Sequence, residues 1–264
     1  VDVAYSRKLH EYVSMAVALR FLYSDLNNGV NASVTGASQE MHPAWTMAAD
    51  VALYYKQPIS LPMGESYFGL GFNLSNLGGK MTYDDYVSNF IPANMRLGVS
   101  YEIPFDNYNR LMATVECNKM LVPTYYSKFA TNQTDNKYTQ DEYSAISSPK
   151  GWWQSFCDAP GYINETTGKT VSSALEEFQE VQWGVGLEYS YNRQFFGRVG
   201  YSHENFYKGN RRYVTLGAGF HLSIFSLDFA YCIATAPSNP LDNTMRFTLG
   251  FDLAGIKDLV NNRK

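Results

Sequence analysis

Apolar residues recur at every second position over long stretches of this chain. Between residues 244 and 253, Met245, Phe247, Leu249, Phe251 and Leu253 fall on one face, and Arg246, Thr248, Gly250 and Asp252 on the other. Side chains alternate faces along a strand, so this is an unbroken strand period. Phe225, Leu227, Phe229, Tyr231 and Ile233 alternate likewise with Ser226, Asp228, Ala230, Cys232 and Ala234, and a Pro/Asn/Ser loop, 235–242, separates the two. The pattern predicts eleven strands at 2–8, 12–24, 45–56, 66–77, 93–104, 111–122, 178–191, 194–204, 211–222, 223–236 and 243–253. Five of them follow one another over residues 177–253.

A soluble sandwich also alternates, so the identity of the alternating residues has to decide. One face is large and aromatic; the other holds Gly, Ser and isolated charges, where a water-facing sheet would hold Lys, Glu and Thr. Strands of about 10 residues match the roughly 9–11 that cross a bilayer when tilted. The expectation is an all-β protein, a transmembrane antiparallel β-barrel filling residues 1–253. Connections alternate between short (8–12, 57–65, 104–110, 191–193, 222–223) and long (25–44, 78–92, 123–177, 205–210, 235–242). Short turns are periplasmic and long loops extracellular in such barrels. That makes 123–177 a long extracellular loop and 254–264 a periplasmic tail in a bacterial outer membrane. Eleven is odd where bacterial barrels are even. With a first strand already alternating at Val3 and Tyr5, upstream strands are expected outside this sequence, which reads as mature or trimmed.

Composition sharpens the picture in three places. Aromatic residues make up 16%, with 21 Tyr, which suits interfacial girdles. A mean hydropathy of −0.29 and the lack of an apolar run of about 18 residues exclude a transmembrane helix but not a half-apolar barrel strand. A formal net charge of −4 gives no reason to invoke nucleic acid. Cys117, Cys157 and Cys232 have no metal-ligand spacing. The two strand cysteines read as packing residues, and Cys157 lies in a loop, with only a weak case for a disulfide to either.

The inward face collects Arg20, Arg96, Arg198 and Arg246 with Asp50, Glu102, Glu116, Glu188, Asp228 and Asp252. They could form a charged pathway or a ligand site, or a structural network in which buried charges pair, and their near-balance of signs favours the network. His10, His42, His203 and His221 are scattered, so no triad or metal cluster is supported. The pairs Gly69/Gly71, Gly184/Gly186 and Gly217/Gly219 lie within strands, not at a strand-to-helix turn, and do not read as phosphate loops. No catalytic residue and no cofactor is expected. The sequons at Asn132 and Asn164 are short enough to arise by chance. Loop 123–177 is the stretch expected to carry function. Its first half is polar; its second holds Trp152, Trp153 and Phe156 beside Pro160. That aromatic cluster either plugs the barrel mouth or inserts into a partner. Ser173 to Glu176 fits a capping box for one helical turn, with Leu175 and Phe178 on one side.

Several stretches, among them VAYSRKL (3–9), ALRFLYSDL (18–26), NFIPANMRLGVSYEIPFDNYNR (89–110), NKMLVPT (118–124), KGNRRYVTLGAGF (208–220), FSLDFAYCIAT (225–235) and SNPLDNTMRFTLGFDL (238–253), resemble the PorV family of outer-membrane proteins of type IX secretion. The resemblance spares the 32–44 loop and 125–171. It implies a FadL-like barrel of roughly fourteen strands, with an N-terminal plug and three strands more than this sequence holds. It implies a non-enzymatic role beside a giant outer-membrane translocon. There the protein would receive secreted cargo through its C-terminal domains and pass it to a PorU-type attachment complex, with outer-membrane lipid around the barrel. The alternative is a FadL-like transporter of hydrophobic small molecules, which needs a continuous apolar pocket and a gap in the wall.

Overall fold

The computed structural model describes residues 1–26, 42–83, 88–124, 140–164, 167–222, 224–236 and 241–252. In chain order the strands are β1 (Asp2–Lys8), β2 (Val13–Ser24), β3 (Ala44–Leu61), β4 (Gly64–Gly78), β5 (Lys80–Thr82), β6 (Ser88–Phe90), β7 (Asn94–Pro104) and β8 (Asn109–Met120). Then come helices α1 (Gln140–Ala145) and α2 (Ser148–Gln154), strands β9 (Tyr162–Ile163) and β10 (Thr170–Val171), and helix α3 (Ser173–Gln179). The remaining strands are β11 (Gln182–Tyr191), β12 (Phe195–His203), β13 (Tyr213–His221), β14 (Phe225–Ala234) and β15 (Thr244–Phe251), with a 3-10 turn at Phe206–Lys208.

All eleven expected strands are present, and they form one sheet in the order β1-β2-β3-β4-β7-β8-β11-β12-β13-β14-β15. The sheet is not closed; β1 and β15 are its two ends. No described helix is long and apolar enough to cross a membrane. Two expectations are corrected. Phe178 belongs to α3, not to the strand that follows, and β3 runs on through Pro58 to Leu61, so the connection to β4 is shorter than 57–65. The tail 254–264, Leu253, Asn132 and most of loop 25–44 lie outside the described residues. Cys117, Cys157 and Cys232 are free thiols.

The chain divides into two compact units. One comprises Val1–Tyr54, Gly71–Leu97 and Asn118–Val181, and the other Tyr55–Leu70, Gly98–Cys117 and Gln182–Lys264. In the first, β1 and β2 pair with Val3 opposite Leu19 and Tyr5 opposite Val17. The small hairpins β5–β6 and β9–β10 complete it. Its apolar interior is made by Ala44, Ala48, Ile91, Leu121, Ile146, Tyr162 and Val171.

The second unit contains four successive antiparallel ladders, β11 to β15. Its side chains are sorted against the soluble-protein rule. Along β11, Trp183, Val185, Leu187, Tyr189 and Tyr191 are exposed, while Gly184, Gly186 and Glu188 between them are less so. The same holds on β2, where Leu19 is 70% exposed and the neighbouring Ala18 and Arg20 are less so. Turns are set by local chemistry. Asn192 and Arg193 take φ of 52° and 54°, and the Gln194 N–H donates to the Tyr191 carbonyl at 3.0 Å. Two left-handed residues in succession make a type I′ turn, whose twist matches that of paired strands.

Between β7 and β8, the Asp106 carboxylate accepts from the N–H groups of Tyr108 and Asn109 and from the Asn109 side-chain amide, each at 2.7 Å. These bonds, led by the Asn109 side chain, hold its pKa below the ordinary carboxylate value. The carboxylate form therefore contributes stability above the unfolded-state pKa, and that contribution is lost as pH falls through the lower folded value. Asp106→Ala is expected to lower the urea midpoint at pH 7 and at pH 5. The gap to the native protein should close as pH drops below about 4. A gap that widens in acid would contradict the turn's dependence on the charged form.

Candidate functional site

Residues 140–164 and 167–181 fold as an insert rather than the structureless loop that length alone suggested. Helix α2 starts at Ser148 with a proline in its first turn, where a missing N–H does no harm. Helix α3 is capped by Ser172, whose Oγ accepts from the Leu175 N–H at 3.4 Å. The cap is thus one residue ahead of the expected Ser173. Gly161, just before β9, and Gly168, between β9 and β10, take φ of 81° and 66°, a backbone region that favours glycine.

Buried charge ties this insert to the end of β8. Lys119, nearly buried, donates to Glu177 at 3.1 Å and to Glu180 at 2.7 Å. These acids lie three apart on and beyond α3, so both point to one side. Glu177 also accepts from the Ala159 N–H, and Glu176, 1% exposed, accepts from the Gly161 N–H, both at 2.7 Å. Asp158 accepts from the N–H and the hydroxyl of Thr124 at 2.8 and 3.1 Å. The Tyr162 hydroxyl donates to Gln179 at 2.7 Å.

A second clasp comes from the β5–β6 hairpin. The Lys80 ammonium donates to the carbonyls of Tyr143 and Ser144 at 3.3 and 3.0 Å and lies 4.1 Å from the centre of the Phe90 ring. Burial pushes its pKa below the usual lysine value. Phe90 packs edge-on to Tyr143, and at Gly151 an added Cβ would lie 2.8 Å from the Phe90 ring. Only glycine lets α2 sit this close.

On this scaffold the three predicted aromatics are not equivalent. Trp152 is half-buried, Trp153 is 77% exposed, and Phe156 is exposed with its ring 5.8 Å from the Lys119 ammonium. Phe178, which the sequence reading did not single out as a binding residue, is 75% exposed beside the exposed Leu175, one helical turn back on α3. Lys119 was missed too. Its signal was an isolated cation at the end of an apolar strand, together with the acid spacing of Glu176, Glu177 and Glu180.

The predicted inward charges form separate clusters. Arg20 faces Asp2 across the β1–β2 ladder and bonds to it at 3.0 Å, lies 3.3 Å from Asp50, and donates to the Asn76 side chain. Asp50 in turn accepts from the Asn76 N–H at 2.7 Å. Glu102 pairs with Arg110 at 2.6 Å, a partner the sequence did not suggest. Arg198 bridges Glu188 and Asp228, each at 2.5 Å, and Asp228 also receives His221 at 3.0 Å. The path from β12 to Asp228 on β14 crosses β13 at glycines: a Cβ on Gly219 would lie 2.6 Å from Asp228 and 3.0 Å from Arg198. Arg96, Glu116 and Asp252 also interact with neighbours. Arg246, on the end strand opposite Ala230, lines a small hollow with Arg198, Asp228 and Thr248.

Glu116, Glu188 and Arg198 also border a groove of about 380 Å³ over Gly184, Gly186 and Gly200, whose lining mixes charged and apolar side chains. In these clusters Arg20, Arg110 and Arg198 are each paired with one or two carboxylates. Among the described residues no group of His, Cys, Asp and Glu is placed to hold a metal ion, and no serine hydroxyl is hydrogen-bonded to the His221–Asp228 pair.

Two substitutions test this scaffold. Lys119→Met strands two carboxylates without their cation and is expected to cost about 3–5 kcal/mol. It should appear as faster protease cleavage within 140–181 while the strands stay resistant; unchanged cleavage would show that the insert does not rest on Lys119. Gly219→Ala is expected to cost about 1–3 kcal/mol in urea unfolding by pushing Arg198 off Asp228. Combining it with Asp228→Asn should cost less than the sum of the two, whereas simple additivity would count against the bridge.

Residues 1–127 match the family model described as type IX secretion system protein PorV. The resembling stretches beyond residue 127 lie outside that match. No curated protein matches the chain.

Proposed function

We propose that this chain, which over residues 1–127 belongs to the PorV family of the type IX secretion system, is a non-enzymatic barrel of the bacterial outer membrane that binds secreted cargo. The sheet's exposed apolar face supports the membrane reading. Each large side chain left in water forgoes about 1.5–3 kcal/mol that an apolar surrounding would return. Family membership supports a place beside the translocon. In this reading, cargo C-terminal domains dock on the long-loop side and the protein carries them to a PorU-type attachment complex.

The observation that carries the binding role is the exposure of Trp153 and Phe178, at 77% and 75%, on an insert held by buried ion pairs. Binding hot spots are aromatic residues presented without loss of order. Phe156 and the half-buried Trp152 lie beside them in the chain. The charged side chains of Glu116, Glu188 and Arg198 at the groove over Gly184, Gly186 and Gly200 favour this reading over the FadL-like transporter, which needs a continuous apolar pocket.

The test is co-purification from the native membrane in mild detergent. Trp153→Ala with Phe178→Ala is expected to leave the sheet folded and to cut recovery of translocon and cargo by roughly tenfold or more. Undiminished recovery, with normal secretion, would remove the binding face from the proposal.

A further inference from the structure

The insert keeps its acids inside and leaves its lysines outside. The carboxylates of Asp158, Glu176, Glu177 and Glu180 are bonded to Thr124, to the Gly161 and Ala159 N–H groups and to Lys119. Glu142 interacts with its neighbours as well. Lys150 on α2 and Lys169 just before β10 are exposed. Among the described residues neither ammonium has a partner.

Lys150 shares a face with the aromatic side chains. Gly151 packs α2 against the Phe90 ring, and Ser155 is buried, so these two positions, four apart, mark the inner side of the helix. Lys150 and the exposed Trp153, three apart, fall on the outer side. Beyond the end of α2, the Phe156 N–H donates to the Trp153 carbonyl at 3.4 Å and the Cys157 N–H to the Gln154 carbonyl at 3.0 Å. These turn bonds carry the helical path onward and set the exposed Phe156 next along the stripe. The outer stripe is thus an ammonium, an indole and a phenyl ring, and residues 148–157 contain no acid.

We infer that the partner segment seated on this stripe is an acidic peptide, with an apolar side chain against Trp153 and Phe156 and an Asp or Glu beside it against Lys150. The inference rests on the binding face proposed above and adds the charge of what binds there. An unpaired ammonium at the rim of an aromatic contact attracts a carboxylate, speeds encounter and fixes register. An anionic membrane surface fits less well, since such surfaces are gripped by clusters of about 4–8 basic residues and the described insert exposes two.

The test treats the complex from the native membrane, in mild detergent, with a carbodiimide, which joins an amine to a carboxylate in contact with it. Mass spectrometry should find Lys150 linked to an Asp or Glu of the translocon or of secreted cargo. Lys150→Glu should cut recovery of that partner roughly tenfold or more, with protease resistance of the insert unchanged because the side chain is exposed. Lys150→Arg should keep the partner while removing the linkage. Phe156→benzoylphenylalanine, cross-linked by light, reports contact whatever the partner's charge. A partner captured at position 156 without a Lys150 linkage, or recovered in full with Lys150→Glu, overturns the inference and leaves the binding face standing. Capture by neither route brings down the binding face and the inference with it. A loss with Lys150→Glu that vanishes once anionic phospholipid is removed assigns the lysine to the membrane and overturns the inference too.

Discussion

Every backbone N–H and C=O of a strand must find a partner when no water is at hand, and here the ladders supply those partners except along the outer edges of β1 and β15, while side chains are sorted the opposite way from a soluble fold. Large apolar groups such as Leu19 and Phe247, both 70% exposed, point away from the protein. Glycines and paired charges face the other side of β11 to β13. Among the described residues the sheet buries small apolar groups such as Ala44 and Ala48 of β3 rather than large ones. The buried apolar residues Ile146, Tyr162 and Val171 lie instead in the insert. The sheet's apolar face depends on its surroundings, whereas the insert carries its own packing.

That division explains why the insert is held by charge. Short helices of six and seven residues are too brief to be stable alone. Lys119, Asp158, Glu176 and Glu177 pin them at their ends through bonds to one another and to main-chain amides. With Lys119, Asp158, Glu176 and Glu177 engaged, the insert can leave Trp153 and Phe178 uncovered without collapsing onto them. An ordered aromatic surface loses less entropy on meeting a partner than a mobile loop would.

The sheet was legible because period two is a local signal: Met245 to Phe251 or Trp183 to Tyr189 can be read within a window of eight residues. Ends were less so. Pro58 argues against a strand interior, yet β3 passes through it, because only the three-dimensional pairing reveals whether a missing N–H matters. Phe178 was assigned to a strand because the apolar residues after it alternate, while the Ser172 cap and the bond from the Glu180 N–H to the Glu176 carbonyl at 3.1 Å keep it helical. The insert's organisation was illegible for a different reason. Lys119 meets Glu177 and Glu180 across separations of 58 and 61 residues, and no periodicity couples positions so far apart. Arg110 as the partner of Glu102 and His221 as that of Asp228 were hidden likewise, since the sequence shows which charges share a face but not which of them touch.

The bridge of Arg198 to Glu188 and Asp228 links β11, β12 and β14 past the bare backbone of β13. A strand displaced by one residue turns every side chain to the opposite face. Had β12 paired with such a slip, Arg198 would face outward, and two carboxylates would be left inside without a cation. The bridge can form only when all three strands are correctly aligned over a glycine-bearing fourth. In a wall of strands laid one beside another, a misaligned β12 would forfeit this bridge, so the correct register is the one it stabilises.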